Sequence, residues 1–288
     1  MKVAVLMNRV SWEIKQLIDE FKKNNIEFEL LNNQRIYFKL NKEKDLEDNY
    51  DVVLERSLSY LRGLYSAAIL EMKGYKLINN YECLNITGNK LLTTINLIEN
   101  DIPTPKTCIS FKNESAIDAI EEDIKYPAIL KPIIGSWGRM VAKLENYNCA
   151  IGNLECRKTM GDILQKIYYL QEYLHSNGSN KPTDLRVFVI GDECVAAMGR
   201  FNPDNEFRSN LALGGSAEKV KIDDELEEIS LKASEAVNGE IVGVDLMIKE
   251  GKLNVIEVNG TPQFRGITKA TKINIAEKII TYLQDHYN

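Results

Sequence analysis

The sequence predicts a mixed fold, in which a parallel α/β layer precedes α+β units that are built on antiparallel sheets. Over residues 1–84, short apolar runs alternate with amphipathic stretches of helical spacing, which is typical of a parallel layer. Farther along the chain, apolar runs follow one another across short turns, which favours antiparallel pairing. With 288 residues, of which 44% are hydrophobic, the chain is long enough to bury the cores of such units.

The first domain is expected to span residues 1–84. We predict strands over 3–7, 28–31 and 51–55, and helices over 12–24 and 63–73. Gly74 suits the position just after the second helix, because glycine adopts a positive φ without steric cost. The following segment, "YKLINN", is expected to add a short strand.

The second domain, over residues 85–175, is predicted to begin with a helix that Thr87 caps. The apolar face of this helix is expected to consist of Leu91, Leu92, Ile95 and Ile98. The rest of the domain is predicted as a strand over 107–111, a helix over 115–123, two strands around the glycine turn of "AILKPIIGSWGRMVAKL", and the strand "YYLQEYL".

The third domain is expected over residues 176–288. Its predicted strands lie in "LRVFVIG", "ECVAAMG", "VGVDLMI" and "LNVIEV", and a helix over 274–284 closes the chain. The sequence contains no internal repeat, low-complexity tract or long linker.

Composition excludes several classes of function. A formal charge of −6 and a pI near 5.3 argue against a general nucleic-acid-binding surface. The five cysteines form no C-x-x-C pair, which argues against a disulfide framework and a zinc site. With only His175 and His286, neither a histidine metal site nor a Ser-His-Asp triad is expected as the central chemistry.

The first residues, "MKVAVLMN", form an apolar run far shorter than a signal sequence or a membrane span requires. We therefore expect a cytoplasmic protein that contacts no membrane.

Three oxygen-bearing side chains near the end of the chain indicate a metal site. Glu257 and Asn259 lie two apart on a predicted strand, so both point to the same face. A turn at 250–251 is expected to bring Asp245 beside them. Oxygen ligands without histidine or cysteine suit Mg²⁺, which prefers one or two carboxylates together with substrate phosphates. Solvent-facing acidic residues that bind nothing are the alternative, but the apolar residues around them argue for burial.

A second pattern points to phosphate binding. Lys131 ends an apolar strand, and the glycine-containing segment 135–139 follows it. Glycines allow backbone N–H groups to face a phosphate, and the lysine supplies a positive charge. The segment is neither a Walker A loop nor a Rossmann fingerprint, so another nucleotide-binding fold is required.

Taken together, the motifs resemble those of the ATP-grasp ligases in order and spacing. They are "GNK", "AILKPIIGSWGR", "LQEYL", "DLRVFVIG", "FRSNLALGG", "VGVDL" and "VIEVNGTPQFRG", which cover essentially the full chain. Within that superfamily the sequence is most similar to the RimK-related LysX/ArgX group, for which the "IGSWGR" loop and the "GLYSAAILE" helix are the more specific signals. The resemblance implies an ATP-grasp fold that follows an N-terminal pre-ATP-grasp domain.

The resemblance also implies the roles of individual residues, with ATP and Mg²⁺ as cofactors. Lysines and a closing loop would bind the phosphates: Lys90, Lys131, Ser136, Trp137, Gly138 and Arg139. Other residues implied to bind ATP are Gln171, Glu172, Tyr173, Leu174, Asp184 and Asn210, with backbone groups of Glu172 and Leu174 reading the base edge. The metal ligands would be Asp245, Glu257 and Asn259.

Catalysis is assigned by the same resemblance to Arg208, Arg186 and Lys131. The substrate site would comprise Arg200, Arg208, Gly260, Thr261, Arg265, Gly266 and Ile267. Asp184 and Arg186 lie two apart on one strand face, and a structural ion pair between them is the alternative to a role in binding.

Members of the LysX/ArgX group attach α-aminoadipate or glutamate to the C-terminal glutamate of a small acidic amino-group carrier protein, so the resemblance implies this reaction in lysine or arginine biosynthesis. A basic groove is then expected, with candidates Arg9, Arg56, Arg62, Arg139 and Arg265, of which the first three favour a solvated surface role. Gly266-Ile267 is nearer the Gly-Phe pair of aminoadipate-selective members, and glutamate stays open.

Two alternatives remain. A ligase of the same fold could add glutamate to a ribosomal-protein tail or a coenzyme. A non-catalytic nucleotide-binding protein is disfavoured because the lysines, arginines and three metal ligands are all present. An oligomer of identical chains is left open.

Overall fold

The computed structural model describes residues 1–44, 46, 49–174, 182–202 and 215–287. The strands in these ranges are β1 Lys2–Met7, β2 Glu27–Asn32, β3 Val52–Glu55, β4 Leu77–Ile78, β5 Thr107–Ser110, β6 Ala128–Lys131, β7 Ala142–Leu144, β8 Tyr168–Glu172, β9 Asp184–Ile190, β10 Glu193–Phe201, β11 Ser216–Lys219, β12 Ile241–Lys249 and β13 Lys252–Asn259. The α-helices are α1 Trp12–Lys23, α2 Tyr60–Met72, α3 Tyr81–Thr87, α4 Lys90–Glu99, α5 Asn113–Ala119, α6 Tyr147–Met160, α7 Asp224–Ala236, α8 Arg265–Thr271 and α9 Ile275–Tyr287.

The N-terminal sheet is parallel, in the order β2-β1-β3-β4, and its strands and helices fall where the apolar periodicity predicts them. Ser11 caps α1 by accepting a hydrogen bond from the backbone N–H of Ile14. Gly74 follows α2 with a φ of 81°, as expected of a glycine just beyond a helix.

The central sheet is antiparallel, in the order β5-β8-β6-β7, and the predicted cap of its first helix is wrong. Asn89 caps α4, and its side chain accepts from the N–H of Leu91. Thr87 instead ends the preceding helix α3, where its hydroxyl donates to the carbonyl of Cys83 at 2.6 Å. The prediction contained a single helix capped by Thr87. A helix of only seven residues, such as α3, leaves little periodic pattern in the sequence.

The predicted apolar face of α4 is also wrong. Ile95 and Ile98 are 39% and 58% exposed, whereas Thr93 and Thr94 are buried. The Thr94 hydroxyl forms a 2.7 Å hydrogen bond with the Tyr169 hydroxyl, so a polar contact fixes the buried side of this helix. The spacing of apolar residues cannot predict a hydrogen bond between two polar side chains.

Helices α6 and α7 and the short helix α8 are further additions to the predicted elements. The helix predicted over 115–123 begins earlier, at Asn113, and changes after Ala119 into a π-helical stretch over Ile120–Ile124. Asn146 and Asp223 cap α6 and α7 by accepting from backbone N–H groups three residues on.

The C-terminal sheet has the order β11-β10-β9-β12-β13 and is antiparallel throughout. The predicted hairpin between β12 and β13 is confirmed. Glu250 and Gly251 turn with φ values of 51° and 81°, as a two-residue hairpin loop requires. Farther along the hairpin from that turn, the pairing register shifts between Asp245 and Leu246. This shift leaves Ile256 as the extra residue of a β-bulge.

One hydrophobic core joins the N-terminal and C-terminal sheets. The closing helix α9 packs against α1 of the N-terminal domain, and Phe21, Phe188, Phe264 and Ile279 belong to the same buried cluster. The chain end thus returns to the first domain, although the domain boundaries at 84 and 175 stay predictions. Among the described residues, no helix is long and apolar enough to cross a membrane.

Candidate active site

A cleft of about 1270 Å³ lies where the three sheets meet. Its lining contains most of the residues that the sequence singles out: Lys131, Ser136, Trp137, Gly138, Gln171, Glu172, Tyr173, Leu174, Asp184, Arg186, Arg200, Asp245, Glu257, Asn259, Gly260, Thr261, Arg265 and Gly266. Residues that are far apart in sequence therefore share one cavity, which is larger than the about 300–1,000 Å³ typical of a small-molecule site. Arg208 and Asn210 lie outside the residues that the structure describes.

The three candidate metal ligands come together through the β12–β13 hairpin. Asp245 lies directly opposite Glu257, and Gly243 lies opposite Asn259. Val258 between them is fully buried, so the alternation expected from the sequence is present. The Asn259 amide nitrogen donates to the carbonyl of Gly243 at 3.3 Å, which leaves the amide oxygen as the atom available to a ligand.

Two arginines surround the carboxylate of Asp245. Arg186 donates to both of its oxygens, with its Nε at 2.6 Å, and Arg200 Nη2 lies 3.2 Å from Oδ2. Burial alone would raise the pKa of the Asp245 carboxyl, but the two guanidinium groups outweigh burial and hold that pKa below its ordinary value. Asp245 is therefore ionised at neutral pH, as a metal ligand must be.

Asp184 and Arg186 do not form the ion pair considered as the alternative. Each pairs instead with a residue directly opposite on a neighbouring strand: Arg186 with Asp245, and Asp184 with Arg200, whose Nε lies 2.6 Å from Oδ1. Side chains directly across a sheet are closer than those two apart along a strand, which explains the choice.

Lys90 lies beside the metal ligands. Its Nζ is 3.0 Å from Glu257 Oε1 and donates at 2.8 Å to the carbonyl of Gly135, at the start of the glycine segment. One ammonium group thus contacts both the metal end and the loop end of the cleft. A phosphate bound between them would find this charge already in place.

Lys131 is held by Gln171, whose side-chain oxygen accepts from Nζ at 2.6 Å. Loss of hydration in the cleft lowers the pKa of Lys131 to about 8. The amide nitrogen of Gln171 donates to the hydroxyls of Thr107 and Tyr169, both at 3.0 Å. Every polar atom of the Gln171 side chain is therefore engaged, so it positions Lys131, and a contact with adenine would require it to release a partner.

The glycine segment projects from the central sheet into the cleft. Trp137 and Gly138 have φ values of 62° and 66°, a conformation that glycine adopts freely and tryptophan rarely does. The Arg139 guanidinium lies 5.0 Å from the centre of the Trp137 ring. Ser136 accepts a backbone bond from Arg139 at 3.3 Å, which closes the turn.

The predicted adenine hinge lies at the end of β8. The Glu172 carboxylate accepts from the Lys106 N–H at 2.8 Å and from the Lys249 ammonium, so it ties the central and C-terminal sheets together. The Glu172 N–H donates to the carbonyl of Lys106 and is already used. Leu174 is buried at the cleft wall, and the Lys143 ammonium lies 4.5 Å from the Tyr173 ring centre.

The N-terminal domain holds the segment that follows the metal ligands. Thr261 donates its hydroxyl to Glu55 at 2.9 Å, and the Pro262 carbonyl accepts from Arg56 at 2.6 Å. Arg56 is 5% exposed, so its expected solvated role is wrong. Burial raises the pKa of the Glu55 carboxyl, although Ser57 and Thr261 donate to it.

Glu55 is not among the residues predicted from the sequence, and one signal could have identified it. Glu55 is the last residue of β3, and ligand sites of parallel α/β sheets gather at the carboxyl ends of the strands.

The substrate residues predicted around α8 separate into two groups. Arg265 is exposed at the cleft edge and lies 6.0 Å from the Trp12 ring centre, and Gly266 lines the cleft. Ile267 is fully buried in the core and is not part of the cleft lining, so its assignment to the substrate site stays a prediction. One helical step turns it away from Gly266 and toward Phe188 and Phe264.

Comparison with protein families divides the chain where the fold changes. Residues 3–86 match the LysX preATP-grasp domain, and residues 87–283 match the RimK-like ATP-grasp domain. The chain belongs to the RimK-like ATP-grasp family. The predicted family and the predicted ATP-grasp fold are confirmed.

Relatives match this ATP-grasp chain over nearly its full length. The protein named glutamate–LysW ligase ArgX of Sulfurisphaera tokodaii is 34% identical over all of both chains. The α-aminoadipate–LysW ligase LysX of Saccharolobus solfataricus is 35% identical, covering 93% of this chain and 96% of its own. The crystal structure of a RimK domain ATP-grasp protein of Sphaerobacter thermophilus has a TM-score of 0.79 at 20% identity, over 98% of this chain and 99% of the other.

Ligases of the ATP-grasp fold use ATP and Mg²⁺. The residues present here fit that metal, because the two carboxylates and one amide oxygen lie between Lys90 and the arginine network. In the described part of the chain, no group of three or more His, Cys, Asp or Glu side chains is arranged to hold a metal alone. A site with few protein ligands suits Mg²⁺, since substrate phosphates complete its coordination.

Proposed function

We propose that this chain is an ATP-dependent ligase that joins the amino group of α-aminoadipate or glutamate to the side-chain carboxylate of the C-terminal Glu of a small acidic LysW-type carrier protein. The observation that carries the proposal is the meeting of Lys90, Lys131, Asp245, Glu257 and Asn259 in one cleft of a LysX-type chain. The LysW ligases named among the relatives support this choice of reaction, which belongs to lysine or arginine biosynthesis.

The reaction has two steps. An oxygen of the carrier's carboxylate attacks the γ-phosphorus of ATP, and the bond between that phosphorus and the β–γ bridging oxygen breaks. ADP departs, and the carrier's carboxylate has become an acyl phosphate. The unprotonated amine of the amino acid then attacks the carbonyl carbon, and the C–O bond to phosphate breaks. An amide and inorganic phosphate result: one N–H proton of the attacking amine passes to the departing phosphate, and the proton lost earlier by the ammonium passes to solvent.

Electrostatic roles in these steps follow from the positions of the charges. We assign Lys90 and Lys131 to the ATP phosphates, because the Lys90 ammonium bridges Gly135 and Glu257 and Lys131 lines the cleft. Asp245, Glu257 and Asn259 would hold Mg²⁺, which offsets phosphate charge when it is bound. Arg186 shares its guanidinium with Asp245, so it acts as a positioning group until a ligand draws it away.

On the resemblance alone, Arg208 is proposed to stabilise the transferring phosphoryl group, and Asn210 is proposed to bind ATP. Arg200 is held by Asp184 and Asp245, so its assigned role is to orient these two carboxylates at the substrate end of the cleft.

A basic edge of the cleft supports an acidic acceptor. Arg265, Lys269 and Lys272 are exposed and line the cleft at α8. A tail that carries carboxylates would be attracted to this edge and guided toward Asn259 and Gly260. The chain as a whole carries a charge of −6, so this edge is opposite in sign to the net charge.

The choice between aminoadipate and glutamate stays open. Because Ile267 is buried, selection would depend on Gly266 and on Arg265 rather than on the side chain after Gly266. One methylene is worth about 1–3 kcal/mol of discrimination, so both amino acids can be accepted by one cleft. The reaction draws on ATP and a biosynthetic amino acid, and the cytoplasm remains its proposed location.

The test is a ligation assay that is read by mass spectrometry of the acceptor. The purified chain is incubated with ATP, Mg²⁺, each amino acid and three separate acceptors: a LysW-type carrier, a ribosomal-protein tail and a coenzyme with a glutamate tail. We expect the mass of one aminoadipate or glutamate, less water, on the carrier alone. A carrier without its C-terminal Glu is the matched control and should gain no mass.

Product only on the ribosomal tail or the coenzyme would overturn the choice of acceptor. If the chain binds ATP but releases no ADP with any of the three acceptors, the proposed ligase activity itself is overturned.

A further inference from the structure

A buried carboxylate of the N-terminal domain meets a hydroxyl of the cleft wall. Glu55 is the last residue of β3 and is 2% exposed. Thr261, which lines the cleft two residues beyond Asn259, donates its hydroxyl to Oε2 of Glu55 at 2.9 Å. The other oxygen, Oε1, accepts from the Ser57 N–H at 2.7 Å. Both oxygens of this carboxylate therefore accept hydrogen bonds from within the protein.

The surroundings of Glu55 hold it in place. A Cβ at Gly63 of α2 would lie 2.7 Å from Glu55 Oε1, so a glycine is needed where the helix passes this carboxylate. Arg56, the next residue along the chain, donates to the Pro262 carbonyl at 2.6 Å. The segment that carries Thr261 is thus fixed to the end of β3 at two successive residues.

The direction of the Thr261 hydrogen bond determines what its hydroxyl can bind. A threonine hydroxyl has one hydrogen and two lone pairs, and here the hydrogen is directed at the Glu55 carboxylate. Only the lone pairs of the oxygen remain for a ligand in the cleft. A carboxylate or phosphate oxygen has no hydrogen to offer them, whereas an amino group has. The carboxylate behind the hydroxyl also favours a donor that carries positive charge.

The same hydroxyl lies close to the place where an amine would react. Residues 259 and 261 are two apart in the chain, so their Cα atoms are separated by at most about 7 Å. Asn259 is the last candidate metal ligand, and Mg²⁺ bound there would contact the substrate phosphates. An amino group held at Thr261 would therefore lie beside an acyl phosphate that forms at this metal.

We propose that Thr261 accepts a hydrogen bond from the attacking amino group of the amino-acid substrate, and that Glu55 positions the hydroxyl for this contact. Thr261 touches the substrate, whereas Glu55 acts only through Thr261. These roles rest on the ligase reaction proposed above, in which an amine is a substrate. If the contact between the two residues only tied the domains together, its loss would affect ligands with and without an amino group alike.

The test compares ligands that differ only in the amino group. Titration calorimetry measures how the full chain, with Mg²⁺ and a non-hydrolysable ATP analogue, binds α-aminoadipate against adipate, and glutamate against glutarate. The measurement is made at about pH 8 rather than at neutral pH, because burial raises the pKa of Glu55 and the ionised form is needed. For at least one pair, the natural chain should bind the amino acid at least about tenfold more tightly than its amine-free partner.

Variants of Thr261 test the contact with the amine. Thr261→Val keeps the shape of the side chain and removes the hydroxyl, so the preference for the amino acid should be lost. Thr261→Ser retains a hydroxyl and should retain most of the preference. Thr268→Val is the matched control, because the buried Thr268 hydroxyl has no partner among the described residues and Thr268 lies outside the cleft lining. This variant should keep the preference unchanged.

Glu55→Gln reverses the direction of the hydrogen bond and keeps the size of the side chain. The amide oxygen has to face the Ser57 N–H, so the amide nitrogen faces Thr261 and donates to its hydroxyl oxygen. The hydroxyl hydrogen is then free to point into the cleft. The preference for the amino acid should fall about tenfold, while the affinity for the ATP analogue stays the same. Circular dichroism and the melting temperature show whether the variant is folded.

Equal binding of both members of each pair by the natural chain, or an unchanged preference in folded Thr261→Val, would overturn the amine contact. An unchanged preference in Glu55→Gln would overturn the positioning role of Glu55. Failure of the ligation itself is a distinct result. An amine preference that depends on Thr261, in a chain that transfers nothing to any acceptor, would support this contact and overturn only the proposed ligation.

Discussion

Asn79 donates its side-chain amide to the carbonyl of Gly260 at 2.6 Å. The same amide nitrogen donates to the carbonyl of Ile241 at 2.7 Å, and the side-chain oxygen accepts from the N–H groups of Glu240 and Ile241 at 2.8 and 3.0 Å. One residue just beyond the N-terminal sheet thus holds both the start of the β12–β13 hairpin and the residue after Asn259, the last candidate metal ligand. The N-terminal domain is part of the framework of the candidate metal site.

Replacing Asn79 by Ala should destabilise the protein by at least about 2 kcal/mol, because four buried backbone contacts lose their partner. Urea unfolding measures this loss. Asn80→Ala is the matched control, since Asn80 caps α3 through the Cys83 N–H and should cost only about 1 kcal/mol. Equal losses for the two variants would contradict the role assigned to Asn79.

Nucleotide binding should take up a proton above pH 8. The pKa of Lys131 is lowered to about 8 in the nucleotide-free protein, and phosphates would favour the charged form and raise it again. ATP affinity should therefore decline as pH rises through 8. Titration calorimetry in buffers of different ionisation enthalpy gives the proton count, and Lys131→Arg, which stays charged, should abolish the uptake.

The same shift affects stability in the opposite sense. Because the folded pKa of Lys131 lies below the ordinary value of 10.5, the cost of burying its charge is fully present below pH 8. It is relieved between pH 8 and 10.5, so this residue's contribution to the free energy of unfolding rises with pH in that window. Lys131→Met should remove that part of the pH dependence, which urea unfolding at several pH values would show.

Loss of a metal ligand should abolish turnover. Asp245→Ala and Glu257→Ala are each expected to reduce acceptor-dependent ADP release more than about a hundredfold, because the phosphate charge is then left uncompensated. Glu250→Ala at the tip of the same hairpin is the control and should keep its activity, since Glu250 lies outside the cleft lining. Near-normal turnover in both ligand variants would refute the metal assignment.

A side chain at position 88 should not fit unless the Tyr60 ring moves from its present position. A Cβ at Gly88 would lie 1.7 Å from the Tyr60 ring, and both residues line the cleft. Gly88→Ala should therefore lower the melting temperature and weaken ATP binding by displacing that ring. In the Tyr60→Ala background the same change should cost much less, because the clash is gone. A full cost in both backgrounds would show that Tyr60 is not the obstacle.

Parts of this site could be predicted from sequence because they depend on local geometry. The alternation of Glu257, Val258 and Asn259, and the two-residue turn at Glu250, require only strand and hairpin rules. The wrong predictions share another cause. Arg56 is buried because its guanidinium meets the Pro262 carbonyl, a contact 206 residues away in sequence. No local pattern carries that information.

By itself, the sequence determined most of the strands, the helices α1, α2, α4, α5 and α9, the family, and the spacing that places candidate oxygen ligands and lysines at strand ends, whereas α3, α6, α7 and α8 were seen only in the structure. Only the tertiary structure decided which charges meet: Arg186 with Asp245 and Lys90 with Glu257. It also turned Ile267 into the core. The physical reason is that periodicity fixes the face on which a side chain lies, whereas its partner depends on sheet register and on the packing of distant segments.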